Sequence, residues 1–155
     1  MRDKSFKCII IAICAMFCYD MARAQITVIE APKEDVISNC AMGQQNLIRC
    51  ILNGDTTYAF RLCDKEGFVS INEYTVKLGN YNQALAIMQS LVDYKGKNKD
   101  VVMLNNPSQN FAVVQKVMGS TMFFITDING IRYGKLAQGW IPTMIKKLKK
   151  ERNQQ

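Results

Sequence analysis

Two apolar runs, Leu47-Ile-Arg-Cys-Ile-Leu52 and Thr56-Thr-Tyr-Ala-Phe-Arg-Leu62, are separated by Asn53-Gly54-Asp55. A tight antiparallel turn needs positive φ at its central residues, which Asn and Gly adopt at least cost. The phrase therefore predicts a β-hairpin, and with it a sheet in the fold. A second turn cue, Asp64-Lys-Glu-Gly67, leads into Phe68-Val-Ser-Ile71, read as a strand. A second Asn-Gly phrase, Asp127-Ile-Asn-Gly130, divides Thr121–Thr126 from Ile131–Leu136 and predicts another hairpin.

Between these regions the period changes. Tyr81, Ala84, Leu85, Met88, Leu91 and Val92 recur on one face of a helix, with Asn80 as its N-cap and Gly96 as its stop. Val101–Leu104 reads as a short buried strand. Residues 106–119 are ambiguous: their valines favour a strand, but Asn106 then Pro107 at the start and Gly119 at the end favour a helix, which is the prediction. Trp140, Ile141, Met144, Ile145 and Leu148 form a last helical stripe, with Pro142 near its start. Residues 25–46 are expected to be an irregular lead-in with a strand near Ile26–Ile29, and 153–155 a tail. The order from Phe68 onward is then βαβαββα, an α/β fold in a single domain over 47–152. An antiparallel α+β meander with two to three helices is the alternative. The turns at Asp64–Gly67 and Asp127–Gly130 are alike, but the residues after them do not keep register, and the likeness is read as chance.

The N-terminus bears on where the chain works. Basic residues up to Lys7, an apolar run from Cys8 to Phe17 and Ala22-Arg23-Ala24 fit the pattern of a cleavable export signal. The run is shorter than the roughly 20 apolar residues that span a bilayer. Bulky Lys7, Ile13 and Phe17 precede Cys8, Cys14 and Cys18, which argues against lipoprotein processing. The expected product begins near Gln25 and is periplasmic or secreted.

The chain contains no histidine. That removes Ser-His-Asp and Cys-His catalysis, histidine-ligated metals and the commonest general base near neutral pH. No catalytic residue, cofactor or metal site is assigned, and no phosphate-binding or nucleophile-elbow phrase occurs. Cys40, Cys50 and Cys63 remain after the signal, in a compartment where disulfides persist. They are candidates for one bridge plus a spare thiol, or for a reactive thiol, and three pairings stay open. Residues 64–73 echo a calcium loop, but the spacing fails at one end or the other, and a hairpin is the better reading. Lys146, Lys147, Lys149 and Lys150 are candidates for contact with an anionic surface. The same lysines also suit the solvent face and C-terminal dipole of a docked helix. The basic face lacks interleaved aromatic residues, which argues against nucleic acid.

The phrase Val117-Met-Gly119-Ser-Thr121-Met-Phe-Phe-Ile-Thr-Asp127-Ile-Asn-Gly130, set in that element order, resembles the second half of a thioredoxin-like domain over about residues 68–152. The resemblance implies a helix ending at Val117–Gly119, a strand through Phe123-Phe124-Ile125 and a turn at Asp127–Gly130. It also implies a redox Cys-x-x-Cys near Lys77-Leu-Gly-Asn80 and a cis-proline at position 121, but no cysteine occurs at the first place and Thr121 stands at the second. Without an attacking thiolate at the helix start the usual exchange chemistry is not expected. The expectation is an exported, non-catalytic, thioredoxin-like domain that binds a protein or envelope component. The alternatives are a thiol oxidoreductase or sensor built on an unusual cysteine arrangement, and peripheral membrane binding through the lysine-rich helix.

Overall fold

The computed structural model describes residues 31–63, 73–126 and 133–153. Asn53 and Gly54 have φ of 52° and 84°, the signature of a type I′ turn. They join β2 (Gln45–Leu52) to β3 (Asp55–Cys63) in the predicted hairpin. β1 (Lys33–Cys40) pairs with β2, and β4 (Glu73–Gly79) with β3, to make a four-stranded antiparallel meander. Helix α1 (Tyr81–Asp93) comes next in the chain, and Asn80 caps it as predicted. The Asn80 side chain accepts from the Gln83 N–H while the Gln83 side chain accepts from the Asn80 N–H, a reciprocal capping box.

A second meander is built from β5 (Val101–Met103), β6 (Phe111–Val117), β7 (Ser120–Thr126) and β8 (Tyr133–Ala137), and α2 (Ile141–Arg152) closes it. Its β6–β7 hairpin repeats the type I′ turn with Met118 and Gly119 at φ of 49° and 80°. Left-handed backbone costs a residue with a Cβ about 1–2 kcal/mol, so Met118 is held there against its own preference. The described residues thus read as four strands and a helix, twice. Asp64–Gly67 lies between β3 and β4, and Asp127–Gly130 between β7 and β8. Their likeness coincides with equivalent positions in the two halves.

Several sequence expectations are corrected. Residues 106–119 are a loop and the strand β6, not a helix. Asn106 does not start a helix: its side-chain Oδ1 accepts from Asn110 N–H at 2.9 Å and its side-chain Nδ2 donates to the Lys77 carbonyl at 2.7 Å, while Gly119 serves the hairpin. The interval 25–46 is not irregular throughout, because β1 and the start of β2 occupy 33–40 and 45–46. Val101–Leu104 is not a buried run, since β5 is an edge strand with Val101 and Met103 more than half exposed. The order from β4 onward is not βαβαββα, and β4 and β5 fall in different sheets. The fold is mixed α/β: two antiparallel sheets and two helices among the described residues, in the manner of the meander alternative. Trp140 is not in the buried stripe but in a 3-10 turn at 43% exposure. Ile26–Ile29, Phe68–Ile71, both Asp-to-Gly turns and the export signal lie outside the described residues.

One core joins all these parts: Leu47, Phe60 and Val76 from the first sheet, Val114, Phe123 and Ile125 from the second, and the inner faces of both helices. The helices run antiparallel. Gln138, just before α2, donates to the Leu91, Val92 and Tyr94 carbonyls at the end of α1. Arg152, at the end of α2, lies 4.5 Å from the centre of the Tyr81 ring at the start of α1. The sheets touch where β8 meets β3, and a Cβ on Gly134 would lie 2.4 Å from the Leu62 Cβ. Replacing Gly134 by Ala is therefore expected to destabilise by about 1–3 kcal/mol through overpacking. Gly139→Ala, with open space at its Cβ, should be near neutral. Urea unfolding of the two variants checks this, and equal midpoints would contradict the close approach.

Candidate binding groove

The structure spreads the three cysteines along the first sheet. Cys40 ends β1 and points into the core, with its sulfur 3.5 Å from Ser38 Oγ. Cys50 lies on β2 beside Glu34, and Cys63 ends β3. Cys40 faces Gln45, which faces Leu62, so two inter-strand spacings separate β1 from β3. That is roughly 9–10 Å, beyond the Cα separation a disulfide tolerates. Cys50 sits opposite Thr57, roughly 20 Å along β3 from Cys63 and about 17 Å along β2 from the Cys40 position. All three are free thiols in this structure. Burial, with the Glu34 carboxylate second, pushes the Cys50 thiol up, which lowers its thiolate fraction. Thr121 is half-buried on β7. Lys146, Lys147, Lys149 and Lys150 are all exposed on α2, opposite buried Ile141, Met144, Ile145 and Leu148.

The feature that sequence reading missed is a groove of about 390 Å³ between α1 and β5. Gln83, Ala86, Ile87, Ser90, Leu91 and Tyr94 form its helical wall, a stripe beside the one that faces the core. Ala86 and Ser90 are small, which keeps the groove open over Ile87 and Leu91. The other wall is the consecutive run Val102-Met103-Leu104-Asn105. Val102 and Met103 belong to β5 and Leu104 and Asn105 to the segment that follows it, so this wall is the outer edge of the second sheet and its continuation.

That edge carries unused backbone groups. Val114 N–H donates to the Asp100 carbonyl at 2.9 Å and Leu104 N–H to the Asn110 carbonyl at 2.8 Å. Antiparallel pairing alternates, so the amides and carbonyls of Val101 and Met103 face away from β6. No described strand pairs with them. In the first half the corresponding edge strand, β1, is eight residues long and has α2 packed against it, with Arg49 of β2 bound to Glu151 at 2.6 Å. β5, with three residues, leaves the equivalent place beside α1 open.

The loop joining the two walls closes one end of the groove and is basic, with Lys95, Lys97 and Lys99 exposed. Its shape is fixed by Asp100, whose Oδ2 accepts from Tyr94 Oη at 2.5 Å and from Lys97 N–H at 2.7 Å. A Cβ on Gly96 would collide with both the Tyr94 hydroxyl and the Asp100 carboxylate, so only glycine lets that pair close. Donors from Tyr94 and the Lys97 backbone hold the Asp100 carboxyl below its ordinary value of 3.8. The same contact pushes the Tyr94 hydroxyl up to about 12. Asn98 adds a bond from Lys116 N–H at 3.0 Å. At the far end, buried Asn106 and Asn110 bond to each other and to Tyr74 Oη and the Lys77 and Thr126 carbonyls, tying β4 to the second sheet.

No family model matches the chain, and no curated protein or solved structure shows significant similarity to it. Among the described residues no helix is long and apolar enough to cross a membrane.

The Asp100 contact makes the loop acid-sensitive. A depressed carboxyl stabilises the fold fully above its unfolded value near 3.8, and the contribution is lost as pH falls through the lower folded value. Tyr94→Phe removes the largest stabilising donor and should raise the Asp100 midpoint toward 3.8. NMR titration of the Lys97 amide reads the shift, and an unchanged midpoint would contradict the assignment.

Proposed function

We propose that this chain is an exported, non-catalytic binding protein that takes up an extended apolar segment of a partner protein or envelope component in the groove between α1 and β5. The open edge of β5 carries the reading. An added strand would satisfy the free backbone groups of Val101 and Met103 and lay alternate side chains over Ala86 and Ser90, the mode of recognition known as β-augmentation. The reading does not depend on kinship with thioredoxin. It agrees with the absence of histidine and with cysteines held apart by the ladder.

The second sheet is antiparallel throughout, so a strand continuing it would run against β5 and bring its C-terminal side to Lys95, Lys97 and Lys99. An acidic residue or chain terminus there gains charge attraction, and alternating apolar residues fill the groove. The suitable probe is a synthetic peptide of alternating valine and threonine ending in two glutamates.

Binding of this peptide should slow hydrogen exchange at the Val101 and Met103 amides. Met103→Pro removes an outward donor on an edge strand, where proline is tolerated, and should weaken binding at least about tenfold with little loss of fold. Unprotected amides, or equal binding by the proline variant, would count against strand addition. Export predicts a mature N-terminus at Gln25, and mass spectrometry of the secreted or periplasmic protein checks it. An intact Met1 would refute cleavage.

A further inference from the structure

The β6–β7 hairpin carries a second surface, independent of the groove. Its turn places Met118 at φ 49° with its side chain fully solvent-exposed. The equivalent turn of the first half uses Asn53-Gly54, the residues such a turn favours. Met118 thus gives up both backbone preference and burial, and the neighbouring side chains are apolar as well. Val117 is 49% exposed and Trp140 43%. A shallow cavity bounded by Gly119, Ser120 and Thr121 on one side and Gln138, Gly139 and Trp140 on the other places the tryptophan beside the hairpin tip.

We propose that this tip inserts into the interface of an anionic membrane, with Met118 and Val117 entering the acyl boundary and Trp140 resting at headgroup depth. Three side chains are too few for a stable protein interface, which buries about 800 Å² per partner. A small apolar tip joined to a basic patch is enough for reversible membrane contact. The charge is at hand. Lys116, exposed, directly precedes Val117 on the hairpin, and the exposed lysines of α2 follow Trp140 in the chain. Tryptophan is also the residue most at home in the interfacial zone.

The chain has a single tryptophan, and it stands in the surface under test. Titrating the purified protein with vesicles of mixed phosphatidylcholine and phosphatidylglycerol should shift Trp140 emission to the blue. Pure phosphatidylcholine should give a much weaker response, and about 1 M salt, where screening acts within about 3 Å, should largely reverse the shift. The decisive variant is Met118→Asn, which restores the favoured turn residue. It should weaken vesicle binding at least about tenfold while its unfolding midpoint stays the same or rises. Both proteins are compared as the exported form beginning at Gln25, which lacks the apolar run near the N-terminus. The proposal is overturned if anionic vesicles leave the emission unchanged. It is equally overturned if Met118→Asn binds like the parent, including the case in which Lys146→Glu with Lys147→Glu abolishes binding and the helix alone is responsible.

Discussion

The close approach of β8 to β3 is the contact on which the domain depends. Gly134 has no side chain, so Leu62 can fill the space against it. Where the strands meet, Gln45 of β2 accepts a bond from the Ala137 N–H at 2.9 Å and fixes the end of β8. The next residue, Gln138, collects three carbonyls at the end of α1. Buried carbonyls at a helix end need partners, and a single amide supplies them here. Two meanders that could each expose an apolar face are thereby locked around one core, to which the two antiparallel helices each contribute one face.

This arrangement explains why two halves of the same plan end up with different surfaces. Each half is a meander closed by a helix, yet α2 is used up against β1, while β5, across the groove from α1, has only three residues. The shortening of one edge strand opens the groove. The two hairpins differ in the same sense. Asn53-Gly54 is a turn with no further demand on it, whereas Met118-Gly119 holds a fully exposed apolar side chain in backbone that a methionine does not favour. Departures from repeat symmetry therefore mark both surfaces to which an interaction is assigned.

Much of the local structure was legible in the chain. The hairpin at Asn53-Gly54, the cap at Asn80, the start of α2 near Pro142 and the face carrying Lys146, Lys147, Lys149 and Lys150 come from turn chemistry and periodicity over a few residues. The loop before β6 misled because Asn106, Pro107 and Gly119 are the residues that cap helices and also the residues that make turns. What separates the two uses is a bond to Lys77, 29 positions away. β1 was hidden for a related reason. Its burial does not follow polarity, with Val36 exposed and Ser38 buried around a register shift, so no apolar alternation marks it as a strand.

The order of residues was enough to set the elements with local causes, to remove histidine chemistry and to write the pattern of an export signal. Packing in three dimensions was needed to hold the cysteines too far apart to pair, to make β5 the end of a sheet and to leave a groove beside α1. It also brought Trp140 beside the Gly119–Thr121 side of the β6–β7 hairpin. Those outcomes depend on which strands become neighbours, and neighbours are chosen by burial summed over the whole core. No short stretch of sequence contains that sum.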